Sequence, residues 1–174
     1  MDKLRYPIGQ FNMAEDFSLD QIENLINQIE DLPQLLADSV RDLSKEQLDS
    51  SYKPEGWTIR QVVHHIADSH MNGYIRFKLA LTEDNPIIKP YKEALWAELE
   101  DSRTLSVDVS LKLVETLHCR WATLLRSLSS VELNRQFRHP EAGDLSIKKA
   151  IGLYAWHGNH HLAHIINFRK SIGL

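Results

Sequence analysis

Apolar residues recur at helical spacing through most of this chain, and turn residues divide them into a few long amphipathic runs. The first run follows Ser18. Ile22, Leu25, Ile26 and Ile29 fall three and four residues apart, the stripe that one face of an α-helix turns toward a core. Ser18 suits the helix start, because its hydroxyl can accept a backbone N–H left free in the first turn. Pro33 is predicted to kink this helix or to begin a new segment, since it has no N–H to give. Residues 1–17, with Pro7 and Gly9, read as irregular. Ser44 followed by Gln47 has the form of a capping box for a short turn.

A second long helix is predicted after Thr58, with Gln61 completing a capping box. Its apolar positions are Ile59, Val62, Val63, Ile66, Tyr74 and Phe77, and it runs to about Leu81. A third spans about residues 108–128, with Leu111, Val114, Leu117, Trp121, Leu124 and Leu128 as its stripe. The fourth begins after Ser146 and ends with Arg169 and Lys170, where positive charge meets the carbonyl end of a helix, and then Gly173. Between the second and third runs lies a proline-broken link (NPIIKPY) and a short helix around KEALWAEL. Before the fourth, SSVELNRQF is short and polar, and QFRHPEAGDLSI centres on a Pro/Gly turn. The prediction is an all-α fold: a four-helix bundle over residues 1–174 as a single domain, with short extra helices and a small hairpin or loop before the last helix.

Composition narrows the function. Hydrophobic content of 43% and charged content of 25% are those of an ordinary globular protein. The formal charge of −4, with basic residues scattered, argues against a nucleic-acid partner. No apolar stretch is long enough to span a bilayer, and the N-terminus has no secretory apolar region. The single cysteine, Cys119, suits a reducing cytosol and reads as a small buried residue in a helical pattern. A cytoplasmic protein acting on a small molecule, away from membranes, is the expectation.

Candidate chemistry is concentrated in histidine. Of nine histidines, four fall within eight residues: His157, His160, His161 and His164. Neutral imidazole is the commonest metal-binding side chain, and two histidines four apart on a helix can grip one ion. Two such pairs overlap here, His157/His161 and His160/His164. The first lies on a stripe that continues into Ile165 and Phe168, and the second leads to Asn167. Periodicity prefers the first pair and leaves the second open. The second helix offers further donors, His64, His65 and His70, with His65 and Asp68 at the edge of its apolar stripe. A single buried histidine is more often a hydrogen-bonded core residue than a ligand. Two overlapping pairs with a third cluster on another helix tip the balance to metal. Three histidines with an open position form the donor set of catalytic rather than structural zinc. There is no HExxH, no GxSxG, no phosphate-cradling glycine loop and no dinucleotide fingerprint. Trp57, Trp96, Trp121 and Trp156 read mainly as core.

These segments carry a resemblance. YPIG near the N-terminus, GWTIRQVVHHIADSHMN, YIRFKLALTE and LYAWHGNHHLAHI together resemble the DinB/YfiT-like superfamily, in particular its YfiT group of metal-dependent hydrolases. The resemblance implies a bundle in which His65, His157 and His161 hold a divalent metal, zinc first and nickel as the alternative, in a homodimer. A hydrolase would act through metal-bound water, with Asp68 or His160 moving protons. The wider superfamily includes S-transferases that use bacillithiol or a similar low-molecular-weight thiol, so a metal-bound thiolate presented to an electrophile is the alternative. A non-catalytic metal-binding bundle is the third. The link at residues 85–91 and the hairpin near His139 are expected to frame the pocket.

Overall fold

The computed structural model describes residues 2–13 and 16–174. In chain order these form α1 (Asp2–Arg5), α2 (Leu19–Val40), α3 (Lys45–Leu48), α4 (Ile59–Thr82), α5 (Glu93–Trp96), α6 (Glu100–Thr104), α7 (Val107–Arg126), α8 (Ser130–Leu133), β1 (Gln136–His139), β2 (Gly143–Ser146) and α9 (Ile147–Ser171). The four long helices α2, α4, α7 and α9 make the expected bundle. Side chains set where helices begin. Reciprocal capping boxes join Ser18 to Gln21, Ser44 to Gln47, Thr58 to Gln61 and Ser129 to Glu132, and Ser146 alone caps α9.

Three local expectations are corrected. Residues 2–5 form a helical turn where irregular chain was expected. Of the two outcomes expected at Pro33, a new segment does not occur: α2 runs through the proline to Val40. On α7 the buried stripe is Val114, His118, Trp121 and Leu125, one position away from the one read through Leu117 and Leu124. A histidine on the core face disguised the true stripe.

Helices α2 and α4 each pack against α7 and α9. The Tyr154 ring of α9 packs directly on the α4 backbone at Gly73, where a Cβ would lie 2.5 Å from it. The strands β1 and β2 pair antiparallel, with Phe137 opposite Leu145. The link after α4 is tied to this hairpin: Arg138 N donates to Pro86 O at 2.9 Å and Ile88 N donates to Arg138 O at 3.0 Å. Arg135 closes the end of α4 through the carbonyls of Ala80 and Glu83. Among the described residues no helix is long and apolar enough to cross a membrane.

The apolar core is divided in two. One cluster holds Ile22, Ile26 and Ile29 of α2, Phe77 of α4, Trp121 of α7 and Ile151 and Tyr154 of α9. The other holds Leu32 and Leu36 of α2, Ile59 to Ile66 of α4, Val114 of α7 and Leu162 to Phe168 of α9. On α7, His118 lies between the two sets, and on α9 His157 and His161 do. On α4, His70 separates Ile66 from Phe77. A polar stratum of histidines therefore crosses the bundle.

Candidate metal centre

His65 lies one turn and a half into α4, and His157 and His161 lie in the middle of α9. The packing of α4 on α9 brings them together. One ring nitrogen from each of the three lies within 4.8 Å of the others. His65 Nε2 stands 3.2 Å from His157 Nε2, and the ring centres of His65 and His157 are 4.8 and 4.6 Å from that of His161. Trp57 covers the group, its ring 4.6 Å from His65. His65 and His161 are buried, while His157 keeps partial access to solvent.

Burial holds these imidazoles neutral. It pulls His65 down to about 4 and His157 and His161 well below the usual histidine range, with neighbouring histidines adding to the effect. Neutral rings offer lone pairs at physiological pH without competition from protons. Two zinc ligands at 2.0–2.1 Å in a tetrahedral shell stand about 3.3 Å apart. The 3.2 Å between His65 and His157 fits that separation. The donor set therefore suits a divalent cation of the zinc or nickel type.

Comparison with known proteins adds the family. The model of the DinB superfamily matches residues 28–165. The chain belongs to the DinB superfamily. A Bacillus cereus (strain 03BB102) protein, provisionally named a metal-dependent hydrolase, is 57% identical over 172 residues, covering 99% of both chains. A Bacillus thuringiensis subsp. konkukian relative with the same provisional name is 57% identical with the same coverage. Among solved structures, YfiT from Bacillus subtilis, described as a probable metal-dependent hydrolase with an unusual four-helix-bundle topology, is similar with a TM-score of 0.96. It is 46% identical, and the match covers 98% of each chain.

The remaining histidines of this DinB-superfamily chain divide sharply. His160 and His164, the pair that leads to Asn167 and that periodicity left open, are both buried. Part of their apolar shelter comes from outside α9: Tyr6 lies against His160 and Tyr52 stacks on His164 at 4.2 Å, while Trp156 of α9 itself stacks on His160. Together with His161 they form a second group of three whose ligand-type atoms lie within 4.8 Å of one another. The Nδ1 atoms of His160, His161 and His164 are buried without hydrogen-bond partners, as expected beside a site meant for a polar occupant. His64 points elsewhere: it reaches Ser110 Oγ at 2.7 Å and Leu105 O at 3.1 Å, joining α4 to the start of α7. His139 accepts from the backbone N–H groups of Glu141 and Ala142 at 3.2 Å and so closes the hairpin turn.

The sequence offered His70 only as one of three further donors on the second helix and gave His118 no role, and the structure wires both to the site. His70 Nε2 lies 3.1 Å from His157 Nδ1, and His70 Nδ1 lies 2.8 Å from His118 Nε2. His118 Nδ1 is 2.5 Å from the carbonyl oxygen of Ile29. Ser69 Oγ lies 3.5 Å from His157 Nε2 and has the buried Tyr91 hydroxyl for a neighbour. Asp68 is half-buried on α4, three residues past His65. Burial, with the negative charge of Asp101 adding to it, pushes its carboxyl up to about 6. Cys119 is exposed, not buried as expected, because on α7 it follows the inward-facing His118 and turns outward. Tyr91 also lines a cavity of about 600 Å³ with Asn72, Pro90, Leu95 and Trp96.

Proposed function

We propose that this chain is a metal-dependent hydrolase of a small molecule, with His65, His157 and His161 holding a divalent zinc or nickel ion. The observation that carries the reading is the 3.2 Å between His65 Nε2 and His157 Nε2, two neutral donors from different helices at the separation of neighbouring ligands. A cation held by three imidazoles with an open position supplies Lewis acidity and brings a water near neutral pKa.

The protein's own groups do the rest. The partial solvent access of His157 leaves the centre reachable, and Trp57 packs over His65. Asp68 takes the proton from the nucleophile. Its pKa of about 6 suits a base working near neutrality, and it follows His65 by three residues on α4, close to one helical turn. His160, sealed between Trp156 and His164 with its pKa pulled to about 4, is the weaker base of the two. The cavity beside Tyr91 and Trp96, apolar with a few polar groups, is where the organic part of a substrate would lie.

The test begins with metal content of the purified, untagged protein. Alanine at His65, His157 or His161 should each abolish cation retention. Turnover is then measured on a panel of esters and amides, and separately with bacillithiol and an electrophile. Hydrolysis that needs the cation alone supports the proposal. Activity that needs thiol and cation together replaces it with an S-transferase, and wild-type protein that retains no cation overturns it.

A further inference from the structure

We propose that His70 and His118 are positioning residues: a one-way chain of hydrogen bonds anchored on the Ile29 carbonyl fixes His157 as its Nδ1–H tautomer and aims its Nε2 lone pair at the centre. The purpose assigned to this chain rests on the metal reading above; its geometry does not.

The anchor is a defect in α2. In an α-helix the carbonyl of residue 29 accepts the N–H of residue 33, but residue 33 is Pro33, which has none. The Ile29 carbonyl is buried in the bundle and needs a donor. His118 Nδ1, 2.5 Å away, supplies it.

A carbonyl oxygen only accepts, so His118 Nδ1 must carry a proton. In a neutral imidazole the other nitrogen then accepts. His118 Nε2 therefore receives a proton-bearing Nδ1 from His70 across 2.8 Å. His70 Nε2 in turn accepts, so the proton in the 3.1 Å contact belongs to His157 Nδ1. That leaves His157 Nε2 with a lone pair, 3.2 Å from His65 Nε2. Reversing the chain would set a bare His118 Nδ1 lone pair against a carbonyl oxygen at 2.5 Å.

Neutrality of the links follows from their surroundings. His70 and His118 have no solvent exposure. Besides the Ile29 carbonyl, the groups facing them are other imidazoles, Trp121 and Tyr154, with no carboxylate among them to hold a buried cation. Burial accordingly lowers both pKa values.

Outer hydrogen bonds of this kind fix which nitrogen of a ligand histidine is free, and losing one costs about 10- to 100-fold in metal affinity. The test uses the metal-stripped full chain with 15N-labelled histidine. Long-range 15N–1H spectra distinguish a protonated ring nitrogen from a bare one, and zinc affinity is read by chelator competition. Wild-type His157 is expected as the Nδ1–H form. His118→Phe keeps a planar ring but breaks the chain; it should mix the His157 tautomers and weaken zinc about 10- to 100-fold. His118→Gln, whose amide can donate to Ile29 and accept from His70, should restore both. A wild-type spectrum showing His157 protonated at Nε2 overturns the proposal even if no variant folds. So does a folded His118→Phe protein with tautomer and affinity unchanged. The right tautomer in a protein that binds no cation would leave the relay standing and remove the hydrolase reading instead.

Discussion

Acid should destabilise the metal-free protein through His118, and the size of the effect follows from its burial. His118 has no solvent exposure, and burial pulls its pKa from 6.5 to about 4. In the unfolded chain the same ring protonates near 6.5. Between the two values the unfolded state binds more protons, so stability is lost as the pH falls below about 6.5 and the loss is complete near 4. At pH 5 the unfolded ring is almost wholly charged and the native ring mostly neutral, which amounts to about 2 kcal/mol relative to pH 7.5. Asp68 acts in the opposite sense. Its folded pKa of about 6 lies above the ordinary 3.8, so the native state binds more protons there and gains stability as the pH falls through that window. Subtraction removes this contribution. Urea unfolding of metal-stripped wild type and His118→Gln, each at pH 7.5 and pH 5, compares two proteins that share Asp68 and differ at His118. Wild type should lose about 2 kcal/mol more than the variant, with unchanged m-values. Equal losses in the two proteins would refute the claim that His118 is held neutral in the fold.

The other histidines separate by role. His64→Ala leaves Ser110 Oγ and Leu105 O without their shared partner and should cost about 1–3 kcal/mol in thermal or urea unfolding. Zinc affinity should stay near wild type, and a loss as large as that of His65→Ala would show that His64 belongs to the centre after all. Asp68→Asn should keep the cation while kcat falls about 100-fold or more. The fall in wild-type rate below a pH of about 6, where the carboxylate protonates, should vanish from the variant's pH profile. A variant profile that keeps this limb would assign it to another group.

The bundle was legible because its caps and stripes are local. Three of the four long helices start at a Ser or Thr read from the sequence, Ser18, Thr58 and Ser146, and two of those caps, Ser18 and Thr58, are reciprocal with the residue three places on. The hairpin, too, follows from its Pro/Gly turn. What stayed hidden was the orientation of polar residues on apolar faces. Apolar periodicity treats a histidine as an interruption, so the α7 stripe was drawn through Leu117 when His118 was the inward residue. The spacing Val114, His118, Trp121, Leu125 would have shown it, had the histidine been counted as a core position. On α9, His160, His161 and His164 are buried because Tyr6, Tyr52 and Trp57 arrive from distant parts of the chain. No pattern within one helix contains that information.

The same reasoning explains why a proline stands inside α2. A buried polar stratum weakens a bundle unless every member finds a partner, and once satisfied it favours one alignment of the helices over its neighbours. Here α4 contributes His70, α7 contributes His118, α9 contributes His157, and α2 contributes a carbonyl released by Pro33. Sliding α7 by one turn along α2 would strand both the Ile29 carbonyl and His118 Nδ1 in an apolar core. A defect that costs α2 one hydrogen bond therefore ties three other helices to a single register, the one in which His157 faces His65.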